Sequence, residues 1–432
     1  MGFGKRKVLG LIILFLILGY AVNAGAIRIK INDESYLDMR PQVRVFYLNK
    51  DEEKDIDYRK NEFQIYKARL GVTGQVTKWA KFYALIDANE NQDYDAKLWE
   101  AGGQLSILPE LVIKAGKLRV PFTRHNFIAR HFSPVMSSDG NYFLPSQFKD
   151  ALQAVDPFAG GYRDTQAFKR TDFGSVIAGE IEEGMFKYYL GIFQEDRFKE
   201  TKVWQLSGGF DEAATSSLQK DKGNFEYDAR IEFTPTMLGF KSEGTVQDPS
   251  LRTRQTYLGE RDTMTFGIGY HHEKHLNGAT GYSSSSVSRD GLAADFSFEK
   301  KFGDLIPGLE VGYIYLDDNY FYETPSHTYK EGDSNTWYAD THVIYDKKIG
   351  VGQPGIGFRY EHVQNDGVYN NKEDLTYERY GVCFSYFFKG SSNRIGIGFD
   401  YVNARDALKA YIKDNGWEDS TFVLYTGLYL EL

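Results

Sequence analysis

Apolar and polar residues alternate with a period of two along most of the chain beyond residue 34. Many of these runs reach the roughly 9 to 11 residues that a tilted strand needs to cross a bilayer, whereas soluble sandwich strands usually have about 5 or 6. The pattern therefore predicts membrane-spanning β-strands with one apolar and one charged face. In the first run the apolar face holds Leu37, Met39, Val43, Val45 and Tyr47, and the polar face holds Asp38, Arg40, Gln42 and Arg44.

Sixteen segments of the chain show this alternation, and single-chain bacterial outer-membrane barrels have an even number of strands. We therefore predict an all-β fold, a transmembrane antiparallel β-barrel of about 16 strands. The predicted strands cover residues 35–48, 62–76, 79–90, 95–106, 110–120, 170–181, 185–194, 224–234, 262–273, 289–301, 307–317, 335–346, 354–364, 374–388, 393–404 and 419–432.

The connections between these strands alternate between short and long, as they do in outer-membrane barrels with tight periplasmic turns and long outer loops. The longest connection, residues 121–169, is rich in aromatic and apolar residues, so we expect it to fold into the lumen and constrict the pore. Residues 235–261 form a long connection on the side of the short turns, and no feature of the sequence explains it.

Paired glycines recur in the segments FGIGYHHE, GIGFRYEHV and RIGIGFDYV, which begin at residues 266, 355 and 394. A phosphate-binding glycine loop is followed by a helix, and none of these segments is. Their glycines fall on the charged face of a strand, where they leave space in the lumen and permit the wall to bend. We therefore interpret them as part of the barrel architecture.

The first 26 residues combine a basic start, an apolar run and small residues, which is the pattern of a secretory signal peptide. We expect cleavage after Ala24 or Ala26, which leaves residues 27–432 as a single barrel. Removing this segment takes away its only three charged residues, Lys5, Arg6 and Lys7, and moves the formal charge from −9 to −12. A nucleic-acid partner is therefore disfavoured.

Composition further narrows the class of protein to which the chain can belong. A mean hydropathy of −0.46 beside 31 Tyr and 31 Phe excludes a bundle of membrane helices. The single cysteine, Cys383, excludes an intramolecular disulfide, so an exported chain of this kind needs another source of stability. A closed hydrogen-bonded barrel provides one.

Three stretches, residues 68–89, 108–138 and 179–193, resemble the phosphate-selective porin O and P family, most sharply in the motif GKLRVPF that begins at Gly116. The resemblance implies a 16-stranded barrel in the bacterial outer membrane, in contact with its lipid, with the third long loop folded inward. It also implies a homotrimer and a pore lined by Arg and Lys near the constriction.

Combined with strand parity, the resemblance suggests a set of pore-lining basic residues as candidates for anion selectivity. They are Arg40, Arg44, Lys67, Arg69, Lys117 and Arg119 on the first five strands, and Arg124, Arg130 and Lys149 on the inserted loop. Asp38 and Asp87 are available partners on the same side. Later strands place acidic residues at lumen positions, so one wall is predicted to be basic and the other acidic.

We expect a porin that passes small hydrophilic solutes, with a preference for anions and with phosphate as a candidate solute. Two alternatives remain open: a general or weakly cation-selective porin, and a plugged barrel with a structural or adhesive role. No local motif combines Ser and His as a hydrolase requires, so we predict no enzyme and no cofactor. The cluster HHEKH from His271 could ligate a divalent metal, but histidines at a strand end are usually exposed loop residues, and we assign no metal site there.

Overall fold

A computed structural model describes residues 27–51, 59–88, 96–128, 171–194, 204–205, 225–276, 286–323, 329–414 and 416–431. Within these residues the chain forms eighteen strands in one sheet. The strands are β1 Ile27–Lys30, β2 Tyr36–Asp51, β3 Arg59–Thr77, β4 Ala80–Ala88, β5 Lys97–Leu108, β6 Leu111–Arg119, β7 Thr171–Ile181, β8 Phe186–Gln194, β9 Trp204–Gln205, β10 Phe225–Phe233, β11 Thr263–Leu276, β12 Ser286–Glu299, β13 Leu305–Glu323, β14 Tyr329–Tyr345, β15 Gln353–Tyr369, β16 Lys372–Lys389, β17 Asn393–Arg405 and β18 Ser420–Glu431.

Sixteen of these strands close into an antiparallel barrel. Each pairs with the next along the chain, β8 pairs with β10, and β18 returns to pair with β2. The two remaining strands are short: β1 lies against β2, and β9 makes a two-residue parallel contact with β13. The predicted 16-stranded antiparallel barrel is confirmed, and each predicted strand overlaps one barrel strand.

The barrel is inverted relative to a soluble protein, because its exposed face is apolar and its buried face is polar. On β10 the outward side chains include Tyr227 and Ile231, which are 48% and 62% exposed. Between them Asp228 and Arg230 are buried in the lumen. This arrangement is what lipid on the outside and a polar interior require.

Aromatic rings form a row on the outer face of β8, β10, β11 and β12, at the end of the barrel where β7 turns into β8. Phe186, Phe233, Phe266 and Phe296 have successive ring centroids 5.1, 6.3 and 4.9 Å apart. Such a row is typical of the aromatic girdle at a membrane interface.

The two ends of the barrel differ. We call the end with the tight turns, such as residues 78–79 and 182–185, the turn end, and the opposite end the loop end. The described helices are α1 (Arg124–Phe127), α2 (Asp406–Asp414) and a 3-10 turn (Thr236–Leu238). None of them is long and apolar enough to cross a membrane.

The inverted pattern predicts that a charge on the outer face destabilises the barrel according to its depth. Leu190, in the middle of β8, is 54% exposed, whereas Leu238, at the turn end, is 69% exposed outside the strands. We expect Leu190→Arg to lower the free energy of unfolding by about 2–4 kcal/mol and Leu238→Arg by about 0–1 kcal/mol. Equilibrium unfolding from phospholipid vesicles measures both values, and equal costs would contradict the outward placement of Leu190.

Candidate functional site

Two chain segments enter the lumen from opposite ends. We call residues 121–128 the loop segment, which comes from the loop end, and residues 234–262 the inner segment, which comes from the turn end. They meet inside the barrel, where the Thr253 backbone N–H donates a 3.0 Å hydrogen bond to the Phe127 carbonyl. The unexplained long connection of the sequence is therefore a second lumen insertion. Of the predicted constriction loop, residues 129–169 lie outside the described residues.

Lysines and a glutamine on the barrel wall hold the inner segment by its backbone carbonyls. Lys187 Nζ donates to the Glu243 carbonyl at 2.6 Å, and Gln104 Nε2 donates to the Gln247 carbonyl at 3.0 Å. Lys114 Nζ donates both to the Asp248 carbonyl and, at 2.8 Å, to Gln104 Oε1. Because these side chains are buried, each of these hydrogen bonds also offsets the cost of removing a polar group from water.

Arg124 of the loop segment joins both insertions to the wall. Its guanidinium is 2.9 Å from Glu243 Oε1 of the inner segment, and it also binds Glu310 on β13. The same guanidinium donates to the Arg254 carbonyl at 3.1 Å. A charge buried this deeply is stable only with such partners, so the three chain regions are held as one unit.

Two polar contacts fix the end of the inner segment that leads into β11. Gln255 Nε2 donates to Asp340 Oδ2 at 3.0 Å, and the Tyr257 backbone N–H donates to Glu299 Oε1 at 2.9 Å. Burial, together with the nearby Glu243 carboxylate, raises the pKa of Tyr257 to about 12, so its hydroxyl stays neutral at physiological pH.

An apolar core fills the same part of the lumen. Phe122 and Phe127 of the loop segment and Val246 and Leu251 of the inner segment are buried against side chains of the wall. The wall contributes Tyr83, Val112, Leu118, Val120, Val176, Ala178, Tyr189, Phe193, Ala293, Ile314, Leu316 and Tyr338. The barrel beside strands β4 to β8 and β12 to β14 is therefore packed rather than open.

One paired glycine has a specific role in this packing. A Cβ placed on Gly269 of β11 would lie 1.9 Å from the Phe122 carbonyl oxygen, a distance that no side chain permits. Glycine at this lumen position lets the loop segment lie directly against the wall. The interpretation of this glycine as architectural agrees with the structure.

A cluster of arginines lies on the side of the lumen away from this core. We call Arg40 and Arg44 on β2, Arg394 on β17 and Arg252 and Arg254 of the inner segment the basic cluster. Glu431 of β18 interacts electrostatically with the two arginines of β2 and the two of the inner segment, and Arg394 interacts with Arg44.

Contacts within the basic cluster keep its charges close together. The guanidinium carbons of Arg44 and Arg394 lie 5.2 and 4.2 Å from the centre of the same Tyr429 ring. Arg40 is exposed, and Arg252 and Arg254 are partly exposed, so water reaches this side of the lumen. The arrangement can attract an anion, since arginine predominates and the charges are partly desolvated.

Arg252 of the basic cluster also has a carboxylate partner, since its guanidinium lies 3.2 Å from Glu100 Oε2, and most lumen charges in the described part of the chain are paired as well. Each of four arginines has a carboxylate oxygen at 2.5 to 2.9 Å. The pairs are Arg69–Asp87 at 2.9 Å, Arg230–Asp295 at 2.7 Å, Arg359–Asp340 at 2.8 Å and Arg379–Asp400 at 2.5 Å. The predicted acidic wall is thus largely neutralised by arginines.

The predicted pore residues fall into several environments. Arg40 and Arg44 belong to the basic cluster, Lys67 is buried with its Nζ 4.5 Å from the Tyr66 ring centre, and Arg69 is paired with Asp87. Arg119 binds Glu100 at 2.9 Å and the Asn126 carbonyl at 2.6 Å, so it holds the loop segment, as Arg124 does. Arg130 and Lys149 lie outside the described residues.

Lys117 differs from its prediction as a lumen residue. Its Nζ lies 5.8 Å from the centre of the Phe173 ring, which is 53% exposed on the outer face. On β6 the lumen side carries Val112, Lys114 and Leu118, so Lys117 has the opposite parity. The predicted parity is therefore wrong for Lys117.

Sequence analysis missed Lys114, Lys187, Arg252, Arg254 and Arg394 as lumen residues. For Arg252 and Arg254 the available signal was the long connection on the turn side, which carries several basic residues among apolar ones. For Lys114 and Lys187 the signal was strand parity alone.

Comparison with known structures shows the fold of outer-membrane porins. Pseudomonas putida OprB, in a high-pH structure, matches with a TM-score of 0.53 and 10% identity over 92% of this chain and 94% of that one. An anion-selective porin from Comamonas acidovorans matches with a TM-score of 0.50 and 11% identity over 92% and 100% of the two chains. The outer membrane channel DcaP of Acinetobacter baumannii also reaches a TM-score of 0.50, with 9% identity over 93% and 99%.

No family model and no curated protein matches this sequence. The predicted outer-membrane barrel fold is confirmed, whereas membership of the phosphate-selective family is not.

The Arg124 junction predicts that the inner segment is protected from proteolysis. Arg124→Met leaves the carboxylates of Glu243 and Glu310 buried without this cation, which costs about 3–5 kcal/mol. We expect trypsin to cleave the inner segment, which contains Lys241 and Arg252, at least about tenfold faster in this variant. Peptide mapping of the digested detergent-solubilised barrel measures the rate.

Arg28→Met is the matched control, because it removes the same charge from a pair whose Arg28 side chain is 61% exposed. Such a pair contributes about 0–1 kcal/mol, so cleavage of the inner segment should stay at the wild-type rate. Equal rates in the two variants would show that Arg124 does not hold the inner segment.

Proposed function

We propose that the chain forms a passive channel in the bacterial outer membrane that passes small hydrophilic solutes with a preference for anions. The observation that carries this proposal is the basic cluster beside the water-accessible part of the lumen. Phosphate is the candidate solute, since guanidinium groups bind its oxygens through paired hydrogen bonds.

The charge distribution supports an anion preference. Positive charge in a narrow, low-dielectric passage lowers the energy of an entering anion and raises that of a cation. The acidic residues of the opposite wall do not cancel this effect where arginines already pair with them, as Arg230 does with Asp295. The inner segment adds Arg252 and Arg254 to the arginines of the wall, so its insertion concentrates the charge.

The assembly and processing of the chain are also part of the proposal. The sequence resemblance supports a homotrimer, and the pattern of the first 26 residues supports cleavage of a signal peptide after Ala24 or Ala26. We propose residues 27–432 as one barrel, with residues 121–169 and the inner segment together narrowing the lumen. We propose no catalytic reaction.

A plugged barrel with a structural role is the second candidate function. It is favoured by the apolar core that Phe122, Phe127, Val246 and Leu251 form inside the lumen. A barrel of this kind would carry no current in a planar bilayer.

The anion preference predicts a change of selectivity when the basic cluster loses charge. The double variant Arg40→Gln, Arg254→Gln should lower the chloride-to-potassium permeability ratio severalfold, because each substitution removes a cation next to the passage. Millimolar phosphate should also reduce the chloride current of the wild type more than that of the variant. Reversal potentials in a KCl gradient across a planar bilayer give the ratio.

Lys117→Gln is the control for this experiment, because it removes a positive charge from the outer face of the barrel. Its permeability ratio should equal that of the wild type. A ratio that is unchanged in the double variant, or a wild-type channel that prefers cations, would exclude the anion-selective function.

Removal of the inner segment provides a second test. The Lys241 backbone N–H lies 2.9 Å from the Asp262 carbonyl, so a short Gly-Ser linker can replace residues 242–261 without straining the barrel. We expect a larger single-channel conductance, because the lumen widens. A silent wild type with a conducting deletion variant would identify the plugged barrel, and identical conductances would contradict the placement of the inner segment in the conducting lumen.

A further inference from the structure

Three side chains on β10 and β11 place potential metal ligands together inside the lumen wall. Glu226, Asp228 and His271 each offer one ligand atom, and these atoms all lie within 4.8 Å of one another. All three side chains are buried, at 3% exposure each. Asp228 and His271 are register partners in the β10–β11 ladder, so the backbone pairing itself brings them together.

The distances between these atoms lie close to those in the coordination shell of a small divalent cation. His271 Nδ1 lies 2.8 Å from Asp228 Oδ1 and 3.7 Å from Glu226 Oε1. Ligands at about 2.0–2.2 Å from a metal are separated by roughly 3.0–3.5 Å in octahedral or tetrahedral geometry. A cation placed between them could therefore contact all three atoms after small side-chain rotations.

The other nitrogen of the histidine points to a further carboxylate. His271 Nε2 lies 3.8 Å from Glu273 Oε1, and Glu273 is also buried. A metal-bound histidine typically directs its second ring nitrogen to a carboxylate or carbonyl, which fixes the tautomer and strengthens the ligand. The arrangement of Asp228, His271 and Glu273 has this order of groups.

The carboxylates also retain capacity for a ligand. Among the described residues, Glu226 Oε1 and Asp228 Oδ2 accept no hydrogen bond although both atoms are buried. Buried carboxylate oxygens without donors are costly. A bound divalent cation removes this cost.

We propose that Glu226, Asp228 and His271 form a binding site for a first-row divalent cation such as zinc, with Glu273 orienting His271. The site lies beside the loop segment, since the His271 and Phe122 ring centroids are 5.6 Å apart. A bound cation therefore joins β10 to β11 at the place where the loop segment contacts the wall. It is separate from the basic cluster and does not depend on the proposed solute.

The neighbouring histidine serves as a matched comparison. His272 faces the outer side of the same strand, with its Nδ1 3.0 Å from Asp290 Oδ1, and Asp290 also accepts a hydrogen bond from Tyr270. The single carboxylate of this pair already accepts a hydrogen bond, so the pair lacks the ligand atoms that a metal site needs. His271 and His272 thus do not act together, because adjacent strand residues face opposite sides.

Zinc titration of the purified full-length barrel in detergent tests the proposal. After chelation and removal of the chelator, competition with a chromogenic zinc indicator should give one site per chain with a Kd in the micromolar range or tighter. His271→Gln and Asp228→Asn should each weaken binding at least tenfold, and His272→Gln should leave it unchanged. Heat-modifiable migration on gels confirms that every variant is folded.

Manganese binding, followed by the loss of the free-ion electron paramagnetic resonance signal, gives a second readout that needs no indicator. Equal zinc affinity in the wild type, His271→Gln and Asp228→Asn would overturn the proposal, as would the absence of any site in the wild type. If His271→Gln does not fold, Asp228→Asn and Glu226→Gln decide the same question.

Discussion

The structure depends on the closed ladder of backbone hydrogen bonds around the barrel, which β18 completes by pairing with β2. Hydrocarbon offers no hydrogen-bond partner to an exposed backbone group, so a sheet spanning a membrane must have no free edge. Once the ladder closes, successive side chains of each strand face the lipid and the lumen in turn. The exposed Ile231 and the buried Arg230 next to it on β10 follow from this single constraint.

The closed wall creates a second problem, because charged side chains that face a narrow lumen lose much of their water. The described part of the chain solves it by pairing charges and by bringing two chain segments inside. Arg124 illustrates the result, since its charge is satisfied by Glu243 of the inner segment and Glu310 of the wall. The same contacts fill one side of the lumen and leave the exposed and partly exposed arginines of the basic cluster accessible to water. The proposed anion preference therefore depends on how the inner segment is held.

The wall was predictable from sequence and the contents of the lumen were not. Strand positions follow from a local period of two, which each segment displays by itself. Lumen partners are far apart in sequence: Arg124 and Glu243 are 119 positions apart, and no local pattern joins them. Charge alone also misassigns the lumen face, as at Lys117, whose neighbour Leu118 faces the core instead. The sequence indicated the inner segment as a long connection on the turn side. Its fold into the barrel depends on contacts with Lys114 and Lys187, which form only in the closed barrel.

We propose that water and solutes pass along the side of the lumen that carries Arg40, and not along the packed side. Cysteine substitution followed by a membrane-impermeant anionic thiol reagent tests it directly during a planar-bilayer recording. Arg40→Cys should lose most of its current on modification, whereas Ser297→Cys, buried against Glu243 behind the inner segment, should keep its current. The native Cys383 is buried, so the unmodified chain should not respond. Inhibition of Ser297→Cys without inhibition of Arg40→Cys would place the passage on the opposite side and contradict the account.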